Sequence, residues 1–505
     1  MKKVVFLFVA LMVNMLVNAQ SLPFPHHTQY KGIYIKPTIT QVQLDNDVTA
    51  FYNSWKAKYL INGCASNQYY VFFDDGNTVT VSEAMGYGFI IVPIMAGYDP
   101  QAQKILNGLY RYYKAHPSHI MPRLMAWKQI TNCVDADGPD SATDGDVDIA
   151  FGLLLAHAQW GSGGSINYLQ EAKLMIADIM GANKIEGDIN QDLNSVKLGD
   201  WVKSGNRMNA TRTSDFIMDH FRVFAYASQD TTWNNVVDQC YNLIDSMQTN
   251  YSPTTGLLPD FIVDVNTNPK PAPPNFLEEA TDGDYSYNAC RDPWRMATDY
   301  LINGDARARI ATKKIAAWLH TSANGSVYKV YAGYNLNGVK LNSWSDKSFT
   351  APFTVGAMLD TAHQAWLNTL YNHIKTFNPN GGYYDNTLTL LSLLTISGNY
   401  WVPDTALTAG LFDTKKQRTD VKDIFKLYNT YGASQIEIRF INAADAGRYE
   451  CKLVDLLGHE IRVSSPVKAS FRINTAGFQN GMYVVYAIDK ENGRISDSEK
   501  FIVSR

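Results

Sequence analysis

Along most of the chain apolar residues recur at i, i+3 and i+4, the spacing of a helix with one buried face. Segments 106–115, 147–158, 166–180, 216–227, 232–249, 293–301, 305–323, 355–371 and 388–397 carry this pattern. Long stretches rich in Gly, Asn, Asp and Pro separate them, notably 131–146, 250–288 and 324–350. Many antiparallel helices with functional loops at one end predict an α/α toroid. The texture changes near 414–424, where Lys415-Lys416-Gln417-Arg418 gives way to alternating, strand-like runs at 435–440, 449–453, 470–473 and 482–487. With turn signals at 455–459 and 492–494, these predict a small β-sandwich. The expected domains are therefore an all-α unit at 21–413 and a β unit at 424–505.

Residues 1–19 read as a secretory signal peptide, with Lys2 and Lys3, an apolar run from Val4 to Val17, and Val17-Asn18-Ala19 before Gln20. The run is short for a membrane span. The rest is long enough for a sizeable core. A formal net charge of −4 without a basic run argues against nucleic acid or anionic membranes as partners. Five cysteines, Cys64, Cys133, Cys240, Cys290 and Cys451, form neither a Cys-x-x-Cys pair nor a Cys/His cluster, so no zinc site is expected. One disulfide is compatible with export, but the sequence does not pair it. Thirty tyrosines and ten tryptophans suit a sugar-binding cleft, where flat rings cover pyranose faces, although most tyrosines are expected at the core margin.

The densest chemistry lies at Ala142-Thr143-Asp144-Gly145-Asp146-Val147-Asp148-Ile149-Ala150, where three carboxylates open a helical pattern that runs to Trp160. Thr143 or Asp144 is the expected N-cap, with the carboxylates at the positive end of the helix dipole. A lone Asp at such a place is most often just a cap. Upstream, Val81-Ser82-Glu83-Ala84-Met85-Gly86-Tyr87-Gly88 puts Glu83 in the first turn of a buried helix. Together these segments resemble the A-[ST]-D-[AG]-D and S-E-x-x-G-Y-G motifs of glycoside hydrolase family 8. The resemblance spans roughly residues 30–410. It implies an (α/α)6 barrel, no cofactor or metal, and inverting, endo-acting hydrolysis of a β-1,4-linked polysaccharide. An Asp135–Asp140 calcium loop fails on spacing, with Pro139 at a ligand position.

Inverting hydrolysis needs an acid for the leaving oxygen and a base for water, held roughly 6.5–9.5 Å apart and so drawn from different segments. By resemblance Glu83 is the acid, and Asp144 orients the distorted sugar and steadies positive charge. Asp146 and Asp148 are read as supports of the loop and helix start. The segment Tyr285-Ser-Tyr287-Asn288-Ala-Cys-Arg291-Asp-Pro-Trp294-Arg295 resembles the family's Y-D-A-x-R-x-P-W-R motif, but Asn288 replaces its Asp base. An amide cannot take a proton from water. The chitosanase and lichenase branch shares this Asn and uses a Glu from the preceding loop, which places the base at Glu278, with Glu279 the alternative. Trp127, Trp201, Asp215, Tyr287 and Arg291 are the expected substrate-binding residues, and Arg212 and Arg295 are further candidates for the cleft. Asn288 and the acidic loop point to chitosan or mixed-linkage β-glucan, with cellulose or xylan as alternatives.

At the C-terminal end, Cys451-Lys-Leu-Val-Asp-Leu-Leu-Gly-His-Glu-Ile461, Gly481-Met-Tyr-Val-Val and Lys500-Phe-Ile-Val-Ser-Arg505 resemble the sorting domain of the type IX secretion system. That implies the secretion machinery as a partner and surface display or release; separately, the chain is expected to be a monomer. Three other readings compete with this one: a glycan-binding protein on a decayed hydrolase scaffold, a polysaccharide lyase, and a carbohydrate-binding C-terminal module. The retained Glu83 and Asp144 argue against the first, and the paired carboxylates against the second.

Overall fold

The computed structural model describes residues 21–403 and, further on, 425–428, 435–443, 447–455, 460–464, 470–479, 481–490 and 495–503. The expected signal peptide at 1–19, the boundary at 413–424, the turn at 492–494, most of that at 455–459 and the final residues 504–505 lie outside them. Contacts divide the chain into two units, Met1–Gly410 and Leu411–Arg505.

The described part of the first unit holds twelve α-helices. They are α1 Gln41–Tyr59, α2 Ser82–Ile94, α3 Ala102–Ala115, α4 Thr143–Trp160, α5 Tyr168–Met180 and α6 Met218–Ser228, followed by α7 Thr232–Asn250, α8 Asp292–Asn303, α9 Ala306–Ala323, α10 Lys347–Ala357, α11 Gln364–Ile374 and α12 Tyr383–Ser397. Helices α2, α4, α6, α8, α10 and α12 touch in that order, and α12 returns to α2 to close a ring. Each of the other six packs on its chain neighbour in that ring, α1 on α12. This arrangement is consistent with the expected (α/α)6 barrel.

Burial differs between the two rings of helices. The outer helix α7 buries one stripe, Trp233, Val236, Val237, Cys240, Tyr241, Leu243, Ile244 and Met247, so its period shows. In α2 every residue but Glu83 is buried, and α12 is buried throughout except for Tyr384 and Asp385. A helix buried all round has no polar face to mark its period. Helix α1 was not predicted, although Leu44, Val48, Phe51, Tyr52, Trp55 and Tyr59 form its buried stripe, because Asn, Asp and Lys dilute the pattern. The single helix expected over 355–371 is two, α10 and α11. Met358 and Leu359 stay buried in the turn between them and carry the apolar pattern across the break.

The second unit contains two antiparallel sheets. One orders Phe425–Tyr428, Gln435–Phe440 and Ser470–Asn474; the other orders Glu460–Ser464, Tyr449–Asp455, Gly481–Asp489 and Ile495–Val503. Both contribute to one core, including Phe425, Ile438 and Ile473 from the first and Leu453, Val485 and Phe501 from the second.

Candidate active site

Two glycines let α2 and α4 approach closely. A Cβ at Gly145 would lie 2.5 Å from the Ser82 carbonyl carbon, and one at Gly86 would lie 2.6 Å from the Asp148 Cβ. Glu83 and Asp144, each one residue from these contact points, open the two helices side by side. Ala142, not Thr143 or Asp144, stands at the cap of α4 and makes no side-chain capping bond. The Thr143 hydroxyl donates to the Lys197 carbonyl at 2.9 Å, and Asp144 Oδ1 accepts the Gly145 N–H at 2.9 Å. The expected cap is thus corrected: both residues belong to the first turn, where the dipole still favours an anion.

The Arg291 guanidinium joins these carboxylates. Its Nη1 donates to Glu83 Oε2 at 2.7 Å and to Asp144 Oδ2 at 2.8 Å, and its Nη2 donates to Ser214 Oγ at 2.6 Å and Asn288 Oδ1 at 3.1 Å. The Tyr383 hydroxyl donates to the other Glu83 oxygen at 3.0 Å. Burial, with the adjacent Asp144 charge, pushes Glu83 up to about 7 against the pull of Arg291. Asp144 is equally desolvated, yet the Arg291 and Arg212 charges hold it below the usual carboxylate range. Two neighbouring carboxyls are thereby split into one that keeps its proton near neutral pH and one that loses it, the division that acid catalysis beside a stabilising anion requires.

Glu278 faces the cleft from the loop before α8. Arg212 Nη2 donates to its Oε1 at 2.5 Å and Asn288 Nδ2 to its Oε2 at 2.8 Å. Its side chain remains 40% exposed, so water reaches it. The same loop aligns both glutamates, because the N–H groups of Leu277, Glu278 and Glu279 all converge on the buried Asp282 carboxylate at 2.7, 3.0 and 2.9 Å. The turn carrying Asn288 is held likewise, with the Ser286 and Ala289 N–H groups donating to buried Asp260 at 3.0 and 2.7 Å.

Glu83, Asp144, Glu278, Glu279, Trp127, Trp201, Tyr287, Asn288, Arg212 and Arg291 all line one cleft of about 970 Å³, joined by Tyr383 and Tyr384. Trp127 is tied to the acid, since its carbonyl accepts the Ser82 N–H at 2.8 Å. Asp215 is a correction: expected to bind substrate, it is fully buried behind Arg212, 3.9 Å from Nη1, and does not line the cleft. Arg295 likewise turns away from the cleft, donating to buried Asp148 at 2.6 Å beneath the site. Asp148 supports the helix start in that way, and Asp146 does so by accepting the Met125 N–H at 2.9 Å. The sequence reading missed Asp260, Asp282 and Tyr383. Asp282 lies in the 250–288 stretch, but nothing in its spacing separates an acceptor of backbone N–H groups from a solvated acid. Cys64 and Cys133 form the disulfide that the sequence left unpaired. Among the described residues no group of three or more His, Cys, Asp or Glu side chains fits a metal ion.

Comparison with known proteins places this geometry. The family model described as glycosyl hydrolases family 8 matches residues 27–398. A β-glucanase of Niallia circulans is 46% identical over 384 residues, 76% of this chain and 92% of that protein. An endoglucanase of Bacillus sp. strain KSM-330 is 39% identical over 398 residues, 77% of this chain and 83% of its own. Among solved structures, the apo β-1,3-1,4-glucanase from Paenibacillus sp. X4 matches with a TM-score of 0.73 and 45% identity, covering 76% of this chain and all of that one.

Proposed function

The chain belongs to glycosyl hydrolase family 8, and from that premise we propose that it cleaves internal bonds of mixed-linkage β-1,3-1,4-glucan, with Glu83 as acid, Glu278 as base and Asp144 as charge stabiliser. Membership makes it a glycoside hydrolase of the inverting class. The observation that carries the assignment of roles is the Arg291 bridge, which keeps Asp144 ionised while Glu83 holds a proton. Glu83 gives that proton to the leaving glycosidic oxygen. Positive charge then grows on the anomeric carbon and ring oxygen, and the Asp144 carboxylate lowers its energy. Glu278 takes a proton from the water that attacks the opposite face of the sugar, so the product anomer is inverted. Glu278 is preferred to Glu279 because Arg212 and Asn288 fix both its oxygens.

The names of the relatives favour glucan over chitosan. The cleft still carries eight carboxylates, Asp74, Asp75, Glu83, Asp137, Asp140, Asp144, Glu278 and Glu279, so a cationic glucosamine polymer is the second substrate to test. The disulfide supports an oxidising compartment and hence export through the 1–19 segment. For the second unit we favour a β-sandwich acting in type IX sorting. Its quoted strand motifs support that, two of them, Tyr449–Asp455 and Gly481–Asp489, being neighbours in one sheet.

Lichenan, carboxymethylcellulose, chitosan and xylan should be offered to the wild type and to Glu83→Gln, Glu278→Gln and Glu279→Gln, with the fresh anomer followed by NMR. The reading requires inverted products, best turnover of lichenan, and loss in the first two variants but not in Glu279→Gln. An inactive wild type on all four polymers would overturn it.

A further inference from the structure

Of the ten tryptophans, Trp344 alone is mostly uncovered, at 52% exposure. A half-exposed indole loses favourable apolar burial unless something covers it, so its position matters. Trp344 lies in the loop between α9 and α10, and that loop is stapled to the strand of chain leading into the active-site turn. Tyr285 and Tyr334 exchange backbone hydrogen bonds, both 2.9 Å, two residues before Tyr287. The loop then folds on itself, with the Ala332 N–H donating to the Trp344 carbonyl at 3.0 Å and Asn342 Nδ2 to the Ala332 carbonyl at 2.5 Å. At the tip, the Tyr287 hydroxyl donates to Asp346 Oδ2 at 3.1 Å, two residues beyond Trp344. Asp346 is fixed in turn as the N-cap of α10, accepting the Ser348 N–H at 2.9 Å.

Trp344 is thus an exposed ring two residues from Asp346, the hydrogen-bond partner of Tyr287, which lines the cleft and precedes Asn288. A β-linked glucan presents alternating apolar C–H faces, and such a face covers an indole ring without demanding new polar partners.

We propose that Trp344 is an outer sugar-binding platform that extends the cleft beyond Tyr287, so that the enzyme engages a longer stretch of glucan than the lined cleft alone. The inference rests on the glucanase reading. The platform binds no atom of the cleaved bond; its effect depends on whether the substrate is long enough to reach it.

Mixed-linkage glucan tetrasaccharide and heptasaccharide are the probes, with lichenan as the polymer. Turnover is measured for wild type, Trp344→Ala and Trp344→Phe, and binding is measured by calorimetry in a Glu83→Gln background. For Trp344→Ala, heptasaccharide affinity and kcat/KM on lichenan should fall about fivefold or more, well beyond the change on tetrasaccharide. Trp344→Phe should recover part of that loss. Because the side chain is on the surface, the thermal midpoint should stay within about 2 °C. Equal effects on both oligosaccharides, or none, overturn the platform while leaving the glucanase reading intact. Failure of the wild type to hydrolyse any β-glucan overturns both.

Discussion

Arg291 does at residue scale what neither carboxyl could do alone. Without it, Glu83 and Asp144 would be two buried acids in contact, and like charges in low dielectric favour protonating at least one of them. The guanidinium touches both, but the Asp144 charge helps keep the Glu83 proton in place. The direction of the pH dependence follows. Glu83 works only when protonated, and its carboxyl is raised to about 7, so kcat/KM should fall as pH rises through about 7. Asp144→Asn removes the neighbouring negative charge and leaves Arg291 to Glu83 alone. Both changes favour the ionised form of Glu83, so the alkaline limb of the residual activity should move to lower pH. A limb that stays near 7 or moves upward in Asp144→Asn would break the link between these two residues. The Glu83→Gln enzyme should lose about a hundredfold or more in kcat, within the usual range for a general acid.

The element scale shows why the motifs have their glycines and how far they could be read. Gly86 and Gly145 are two of the points where α2 and α4 touch, and Gly145 lies beside Asp144 and against Ser82, the neighbour of Glu83. In Gly145→Ala the new methyl would meet Ser82 backbone at 2.5 Å, so the helices must part or slide. Displacing Glu83 from Arg291 by even about 1 Å should cut kcat on the order of a hundredfold, with a stability loss of about 1–3 kcal/mol. Both are measurable, by turnover and by denaturant unfolding. Full activity in Gly145→Ala would show that the close approach is not needed. Glu83, Asp144 and the Asn288 segment were legible through their resemblance to family motifs, since an acidic residue in a first turn or loop alone is most often a cap or a solvated charge. Asp215 misled because a motif names a residue without saying which side of the wall it occupies; here burial puts it behind Arg212. Asp260 and Asp282 were silent because they act by accepting backbone N–H groups, a role that residue type and spacing do not mark.

At the scale of the whole molecule, the two units keep separate cores. Among the described residues, the large core runs from Phe24 to Trp401 and that of the second unit from Phe425 to Val503. The described residues that line the cleft fall between Phe73 and Tyr384. The closed ring needs no strand from the second unit to complete it, because α1 covers α12 and α12 returns to α2. A chain ending at Gly410 should therefore fold and hydrolyse lichenan with kcat and KM within about twofold of the full chain, as parts with independent cores usually behave additively. Unfolding of the full chain should show a second, smaller transition that the shortened chain lacks. If the second unit instead contributed sugar contacts, the shortened enzyme would lose activity on insoluble or polymeric glucan while keeping it on short oligosaccharides. Export supplies the complementary readout: a sorting role predicts that the shortened chain accumulates inside the producing cell with its catalytic constants unchanged. Activity and location should thus separate cleanly between the two halves, and loss of both on truncation would mean that the barrel depends on its neighbour.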